Sequence, residues 1–322
     1  MKQQLKRAIP AVGMAMAIGL STFASAHAQT LPPVKPGEVT GNINTGGSST
    51  VYPLSVELAS RFKQDGYKGE IKVDSIGSGA GIQRFCRGEY DVANSSRAMT
   101  EAEVTGCKSN GKPIQFQVGI DALTIVVNPK NTWVKSLSKK QLALIFSGAA
   151  KTWKDVDSKW PANAIKLFSP GTDSGTFDYF TEHVFIGTDG KVLPNRKDII
   201  PQVNGVNLSE NDNVLVAGVE GDLNAIGYFG YAYFEENKRK LRALNFEGIA
   251  PNASTVNAGK YGFARPLFVI STGNIMKEKP QVGAFVNYYL GNVDKVIKKV
   301  GYFAEPAAKL NQQKQAFLDA IK

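Results

Sequence analysis

The sequence predicts an α/β protein built as two hinged α/β domains joined by two crossing strands. Three observations carry that prediction. Runs rich in Val, Ile and Phe alternate with helix-like runs along nearly the whole chain, the pattern of α/β units with parallel sheets. Two long β-rich runs, residues 119–128 and 264–271, stand far apart and bracket the middle third. Three strand-to-helix junctions are spelled almost alike in glycine, serine and threonine: GGSSTVYPLS (46–55), GSGAGIQR (77–84) and SPGTDSGTF (169–177).

The elements follow in order. Residues 1–28 read as a secretory signal peptide: a cationic start, MKQQLKR, an apolar small-residue core, and a small-x-small site with cleavage after Ala28. The apolar run is too short and too rich in Ala and Gly for a membrane span, and no Cys follows it to carry a lipid anchor. Residues 29–37 form a Pro-rich extended leader. VTGNIN opens the first strand, and VYPLSVELASRFKQDG has helical spacing. IKVDSIG and YDVANSS are strands, with the helical IQRFCRGE between them. FQVGIDALTIVVN is a long strand, and SKKQLALIFSG an amphipathic helix starting at Ser138. AIKLFS leads through the third junction into the helix TFDYFTEHVF. NAIGYFGYAYF is a strand turning into a helix, ARPLFVIS a buried strand, and residues 279–322 are mostly helical. With the two long runs as crossings, the first domain takes residues 38–122 plus 268–322 and the second takes 123–267. Two crossings make a hinge, and a hinged pair of α/β domains holds its ligand in the cleft.

Composition narrows the partners. The formal charge of +10 falls to +7 once Lys2, Lys6 and Arg7 leave with the signal peptide. The excess is scattered, and its one dense patch, KRKLR (238–242), sits beside Glu235 and Glu236. A nucleic-acid binder would cluster its charge among aromatics, so no nucleic-acid partner is expected, although the excess helps draw in small anions. Cys86 and Cys107, an even count in an oxidising compartment, predict one disulfide. It would close a loop of about twenty residues and contribute about 3 kcal/mol; two free buried thiols are the alternative. The mature chain has one histidine, His183, and no Cys/His cluster, so neither metal nor cofactor is expected.

The three junctions carry the chemistry. A helix start leaves its first amides without internal partners, and the aligned peptide dipoles make that end partly positive. Glycine admits a ligand to the backbone, and Ser or Thr adds a hydroxyl. One such junction is an ordinary N-cap. Three of them, with ANSSR (93–97), point to a shared oxyanion pocket at the carboxyl ends of the strands. The nucleotide patterns GxxxxGK[ST] and GxGxxG are absent; Gly77, Gly79 and Gly81 fall as GxGxG. No G-x-S-x-G elbow supports a hydrolase. His183 falls at a spacing that turns it from the cleft, and most of Tyr52, Phe177, Tyr179 and Phe180 belong to the core. A small tetrahedral anion remains.

STVYPLS, IGSGAG, DVANSSR, TDSGT and NAIGY, in this order, make the chain resemble the periplasmic phosphate-binding proteins, the PstS-type component of phosphate ABC importers. The resemblance covers essentially the whole mature chain. The spacing of GTDSGTFDYFTE and the Cys86/Cys107 pair look most like a branch similar to the alternative phosphate binders of cyanobacteria. It implies a two-lobed periplasmic-binding-protein fold, type II-like, that captures inorganic phosphate and presents it to an ABC permease, with no reaction catalysed. A periplasmic location and a monomer go with it. It also implies phosphate-binding roles for Thr50 and Val51, for Ser78, and for Ser174, Gly175 and Thr176. The chain departs from the family in two places. Where the best-known members have an Asp in the fourth loop, it has Ser96, with Arg97 beside it; where they have an Arg before Ser-Gly-Thr, it has Pro170. We therefore expect Arg97 to supply the guanidinium, and Asp173 or Asp74 to accept the hydrogen bond of a protonated phosphate. Sulfate, molybdate or an organic phosphate is the alternative ligand; a secreted phosphatase or esterase, and a sensor without transport, are the alternative classes.

Overall fold

The computed structural model describes residues 29–322 apart from Ser49, residues 108–110, Asp173 and Glu210, with the backbone alone at Ala232. The expected signal peptide and the candidate acceptor Asp173 lie outside the described residues. The leader ends in a 3-10 turn, Pro36–Glu38, with proline opening the turn, where its fixed φ suits a helical start. Then come β1 (Ile43–Gly47), α1 (Tyr52–Gln64), β2 (Ile71–Ser75), α2 (Ser78–Cys86), β3 (Val92–Ser95), α3 (Glu101–Gly106) and the 15-residue β4 (Pro113–Val127). The middle third holds β5 (Ser136–Leu137), α4 (Lys139–Phe146), α5 (Trp153–Val156), β6 (Lys166–Pro170), α6 (Gly175–Val184), α7 (Arg196–Ile199) and β7 (Asn207–Ser209). It continues through α8 (Asp212–Gly221), β8 (Ala225–Gly230), α9 (Tyr231–Asn237), β9 (Arg242–Ala243), β10 (Asn245–Phe246) and α10 (Ala253–Asn257). The chain returns along β11 (Ala264–Thr272) and ends in α11 (Gly273–Glu278), α12 (Pro280–Val300) and α13 (Ala307–Ala320). Ser138 caps α4 as the sequence predicts, in a capping box with Gln141.

The strands run in the order β2-β1-β3-β11-β4-β8-β6-β7, with β9 also beside β4. β1 is parallel to β2 and β3, and β6 is parallel to β7 and β8. β11 is antiparallel to β3 and β4, and β4 is antiparallel to β8. The sheet is therefore mixed, where the alternation of strands and helices had suggested parallel pairing throughout. The reason is the hinge: the chain leaves through β4 and returns beside it through β11, and neighbouring outbound and return strands must run in opposite directions. Each half repeats one plan. One strand in each, β1 or β6, lies between two parallel partners, so the carboxyl ends of β1 and β6 present equivalent junctions.

The two larger hydrophobic cores among the described residues lie on either side of the crossing, and a third, smaller one surrounds Val126, Leu215 and Phe229. Of the larger two, one gathers Leu58, Phe62, Phe85, Val118, Leu267, Phe285 and Leu290; the other gathers Ile120, Phe146, Trp153, Phe177, Phe180, Tyr228 and Phe263. On β4 the core changes hands between Val118 and Ile120, and on β11 between Ala264 and Leu267. We call the two halves lobe I and lobe II. Cys86, the last residue of α2, is disulfide-bonded to Cys107 just beyond α3, which removes the free-thiol alternative.

Candidate functional site

A cleft of about 800 Å³ separates the lobes. Lobe I contributes Ser48, Thr50, Ser78, Ser96 and Arg97, lobe II contributes Gly175, Tyr179 and His183, and the crossing strand β11 contributes Arg265. The lobe I wall is knit by backbone. Gly47, at φ +140°, lets its carbonyl accept the amides of Ile76 at 2.9 Å and Gly77 at 2.8 Å, while the Ser48 amide donates to Asn94 at 2.9 Å. A Cβ on Gly47 would stand 2.1 Å from the Asn94 carbonyl oxygen, and one on Gly81 would stand 2.4 Å from the Gly47 Cα. The GSGAG stretch is accordingly the first turn of α2, pressed onto the end of β1, rather than a free loop.

Arg265 sits where these walls meet. It is paired in register with Asp121 across β11 and β4, at the point where the cores change hands, and its Nε donates to Asp121 Oδ2 at 3.2 Å. Its Nη1 reaches Ser96 Oγ at 3.4 Å. Its Nη2 donates to Thr50 Oγ1 and, at 2.9 Å, to the Gly175 carbonyl. The guanidinium lies over the Tyr179 ring, 4.0 Å from its centroid. One cation thus touches both lobes, two of the three junctions and the ANSSR stretch. The pair is nearly sealed from solvent, with side chains 8% and 4% exposed. Burial pushes the Asp121 carboxyl up, and the Arg265 guanidinium and the Ala122 amide pull it back. Burial raises the Tyr179 phenol as well, so it stays protonated.

Toward solvent the cleft wall becomes a lip of ion pairs. Arg97 makes a two-pronged contact with Glu103, both bonds at 2.8 Å, and is 44% exposed. That contact, with the capping bonds from Thr100, holds Glu103 down to a pKa of about 2. Across the cleft, Asp178 pairs with Lys197 at 2.6 Å and Glu182 with Arg196 at 2.8 Å.

The expected site residues divide. Thr50, Ser78, Ser96, Arg97 and Gly175 share the cleft, and Ser78 Oγ lies 3.2 Å from Ser96 Oγ. Val51 has its side chain wholly in the lobe I core, leaving its amide, 3.4 Å from Ser48 Oγ, as the group near the junction. Ser174 uses its hydroxyl to cap α6, accepting from the amides of Thr176 and Phe177. Asp74 is engaged elsewhere, by the Tyr90 hydroxyl at 2.8 Å and by Lys72 at 3.2 Å. His183 does line the cleft, contrary to the spacing argument, because α6 turns its ring against Tyr179 and Phe263 at the wall. Burial, with the charges of Lys139 and Arg265, lowers its pKa to about 4.

Sequence reasoning missed Arg265 and Asp121. A signal was there: each is a single charge inside an apolar strand, ARPLFVIS and GIDALTIVV, of opposite sign, in the two runs assigned to the crossing. Charges placed so must be paired.

The chain matches the family model of the PBP superfamily domain over residues 32–293. Protein SphX of Synechococcus elongatus is 38% identical over 288 residues, covering 85% of this chain and 81% of that protein. The phosphate-binding protein PstS of Staphylococcus haemolyticus is 34% identical over 275 residues, covering 84% and 83%. Among solved structures, a possible phosphate-binding protein from Planctomyces limnophilus has a TM-score of 0.78 at 34% identity, over 88% of this chain and 100% of that one. An ABC-type phosphate transport receptor from Vibrio cholerae shares the fold at 23% identity and a TM-score of 0.64, over 81% and 99%.

Proposed function

The chain belongs to the PBP superfamily, and from that premise we propose that it captures inorganic phosphate between its lobes and hands it to an ABC importer in the membrane. The observation that carries the reading is the convergence of Thr50, Ser96 and Gly175 on one buried guanidinium, Arg265. A guanidinium in a water-poor cleft is a strong donor to a phosphate oxygen. Hydroxyls of Thr50, Ser78 and Ser96 and the partly positive N-terminus of α6 complete a shell of groups suited to an anion. Because these groups come from both lobes, only a closed cleft lets all of them hold one anion, and that difference drives closure. No bond is made or broken. Relatives named as phosphate-binding proteins support the same ligand. The cationic and apolar N-terminal stretch supports export of the mature protein out of the cytoplasm, and in this reading it docks on its permease as a monomer.

A second reading has one observation in its favour. The fourth-loop position holds Ser96, and among the described residues the carboxylates lining the cleft, Asp178 and Glu182, are each tied to a cation. A site short of free acceptors would tolerate an unprotonated oxyanion such as sulfate or molybdate. Calorimetric titration of the ligand-stripped mature protein decides between them. Tight phosphate binding that equimolar sulfate does not displace supports the first reading; displacement supports the second.

A further inference from the structure

α12 ends at Gly301, whose φ of +100° turns the chain out of the helix, and α13 begins at Ala307. The linker between them is tied to both lobes and to the hinge. Phe303 forms a bridge to Ile120 on β4, with its amide donating to the Ile120 carbonyl at 2.8 Å and its carbonyl accepting at 3.0 Å. Its ring packs 4.7 Å from that of Tyr231 in lobe II. Glu305 accepts from Gln117 of β4 at 2.6 Å and lies 3.7 Å from Lys309. Tyr302, one residue before the bridge, donates its hydroxyl to the Thr50 carbonyl at 2.6 Å.

We propose that residues 302–305 form a third, non-covalent strand of the hinge, and that Tyr302 is a positioning residue which sets the first anion junction through the Thr50 carbonyl. Thr50 has two fixed ends: its hydroxyl faces Arg265 in the cleft, and its carbonyl is held from behind by Tyr302. The Ile120 bridge lies one residue from Asp121, the partner of Arg265. Hinge, arginine and first junction therefore share a single support, and the strap fixes where the Thr50 hydroxyl stands relative to the guanidinium. An anion that needs both donors at once senses a displacement of either. The proposal rests on the anion reading of the cleft given above.

The molecule contains its own control. Tyr67 also donates its hydroxyl to a backbone carbonyl, that of Gly41, at 2.6 Å, but at the opposite end of β1, away from the cleft. Tyr302→Phe and Tyr67→Phe delete the same bond in the same lobe. We measure phosphate binding by calorimetry, with sulfate and molybdate as parallel arms, and thermal unfolding of each ligand-free variant. Both variants are expected to lower the melting temperature, as the loss of one hydrogen bond should. Tyr302→Phe alone is expected to weaken phosphate binding, about fivefold; Tyr67→Phe stays within about twofold of wild type. Equal affinities in the two variants overturn the positioning role while leaving the phosphate reading intact. A wild-type protein that ignores phosphate but binds sulfate or molybdate overturns the phosphate reading, and the two variants then decide the strap on that anion. A wild-type protein that binds none of the three removes the site and the strap's role together.

Discussion

The floor and the lip of the cleft use the same chemistry to different ends. Both hold an arginine against a carboxylate, Arg265 on Asp121 and Arg97 on Glu103. At the lip the pair is open to water, where screening and side-chain entropy leave an ion pair worth about 0–1 kcal/mol. At the floor both side chains are over 90% buried, and the pair must offset a large desolvation cost. Arg97 donates to Glu103 and to its neighbour's carbonyl; Arg265 spreads its donors over Asp121, Thr50, Ser96 and Gly175. On the proposed reading, the difference points to the floor as the place where an anion is gripped. A guanidinium whose Nη donors are shared among neutral acceptors can hand them to an anion, whereas one gripped through both Nη groups by a carboxylate has less to give.

The largest expected effect comes from the floor. Arg265→Ala should weaken phosphate binding about a hundredfold or more. It should also destabilise the fold by roughly 3–5 kcal/mol, because Asp121 is left charged and alone in a buried site. Replacing both partners, Asp121→Leu with Arg265→Met, separates the two losses: urea unfolding should return close to wild type while calorimetry finds no phosphate binding. Retained binding in that double variant would move the anion away from Arg265. Next in size is the bond that supports the lip. Cys86→Ser with Cys107→Ser should cost about 3 kcal/mol in denaturant unfolding, for a closed loop of 21 residues. Affinity should change little once the variant is folded, since neither cysteine lines the cleft. Smaller again is Arg97→Ala, expected to weaken phosphate binding about two- to threefold, and by less in high salt. A hundredfold loss there would reverse the ranking of floor and lip and restore the role that the sequence suggests for Arg97.

The contrast also explains what could be read in advance. The two lobes, the crossing runs and the pairing of Cys86 with Cys107 followed from local spelling, because alternation, apolar length and cysteine count are properties of contiguous residues. The family was legible in five short motifs and its branch in the spacing of GTDSGTFDYFTE with the Cys86/Cys107 pair, and the relatives from Staphylococcus and Synechococcus agree with that reading. The mixed sheet was not legible, because strand direction at the hinge depends on how the chain returns after more than a hundred residues. Arg265 and Asp121 were hidden for the same reason. They meet across 144 residues, and only strand register sets them opposite each other. Arg97 drew attention by standing inside a recognisable motif, yet its partner Glu103, six residues on, takes up its guanidinium locally.

The smallest effect concerns protons, and it separates the wall from the lip by pH window. His183 has a pKa of about 4 in the folded protein, against an ordinary value of 6.5. Between those values the unfolded chain binds a proton that the native imidazole refuses, so stability falls as pH drops from 6.5 toward 4 and this contribution is complete above 6.5. Glu103 works in the next window. Its native pKa of about 2, against 4.5, means that its contribution is present above 4.5 and disappears as pH falls toward 2. Both groups are partly exposed, so solvent moderates each slope. His183→Gln should flatten the stability curve between pH 6.5 and 4 and leave the steeper acid limb in place; Glu103→Gln should do the converse. Chemical denaturation at half-unit pH intervals checks both. An unchanged slope between pH 6.5 and 4 in His183→Gln would mean that burial against Tyr179 and Phe263, with Lys139 and Arg265 nearby, does not keep the imidazole neutral.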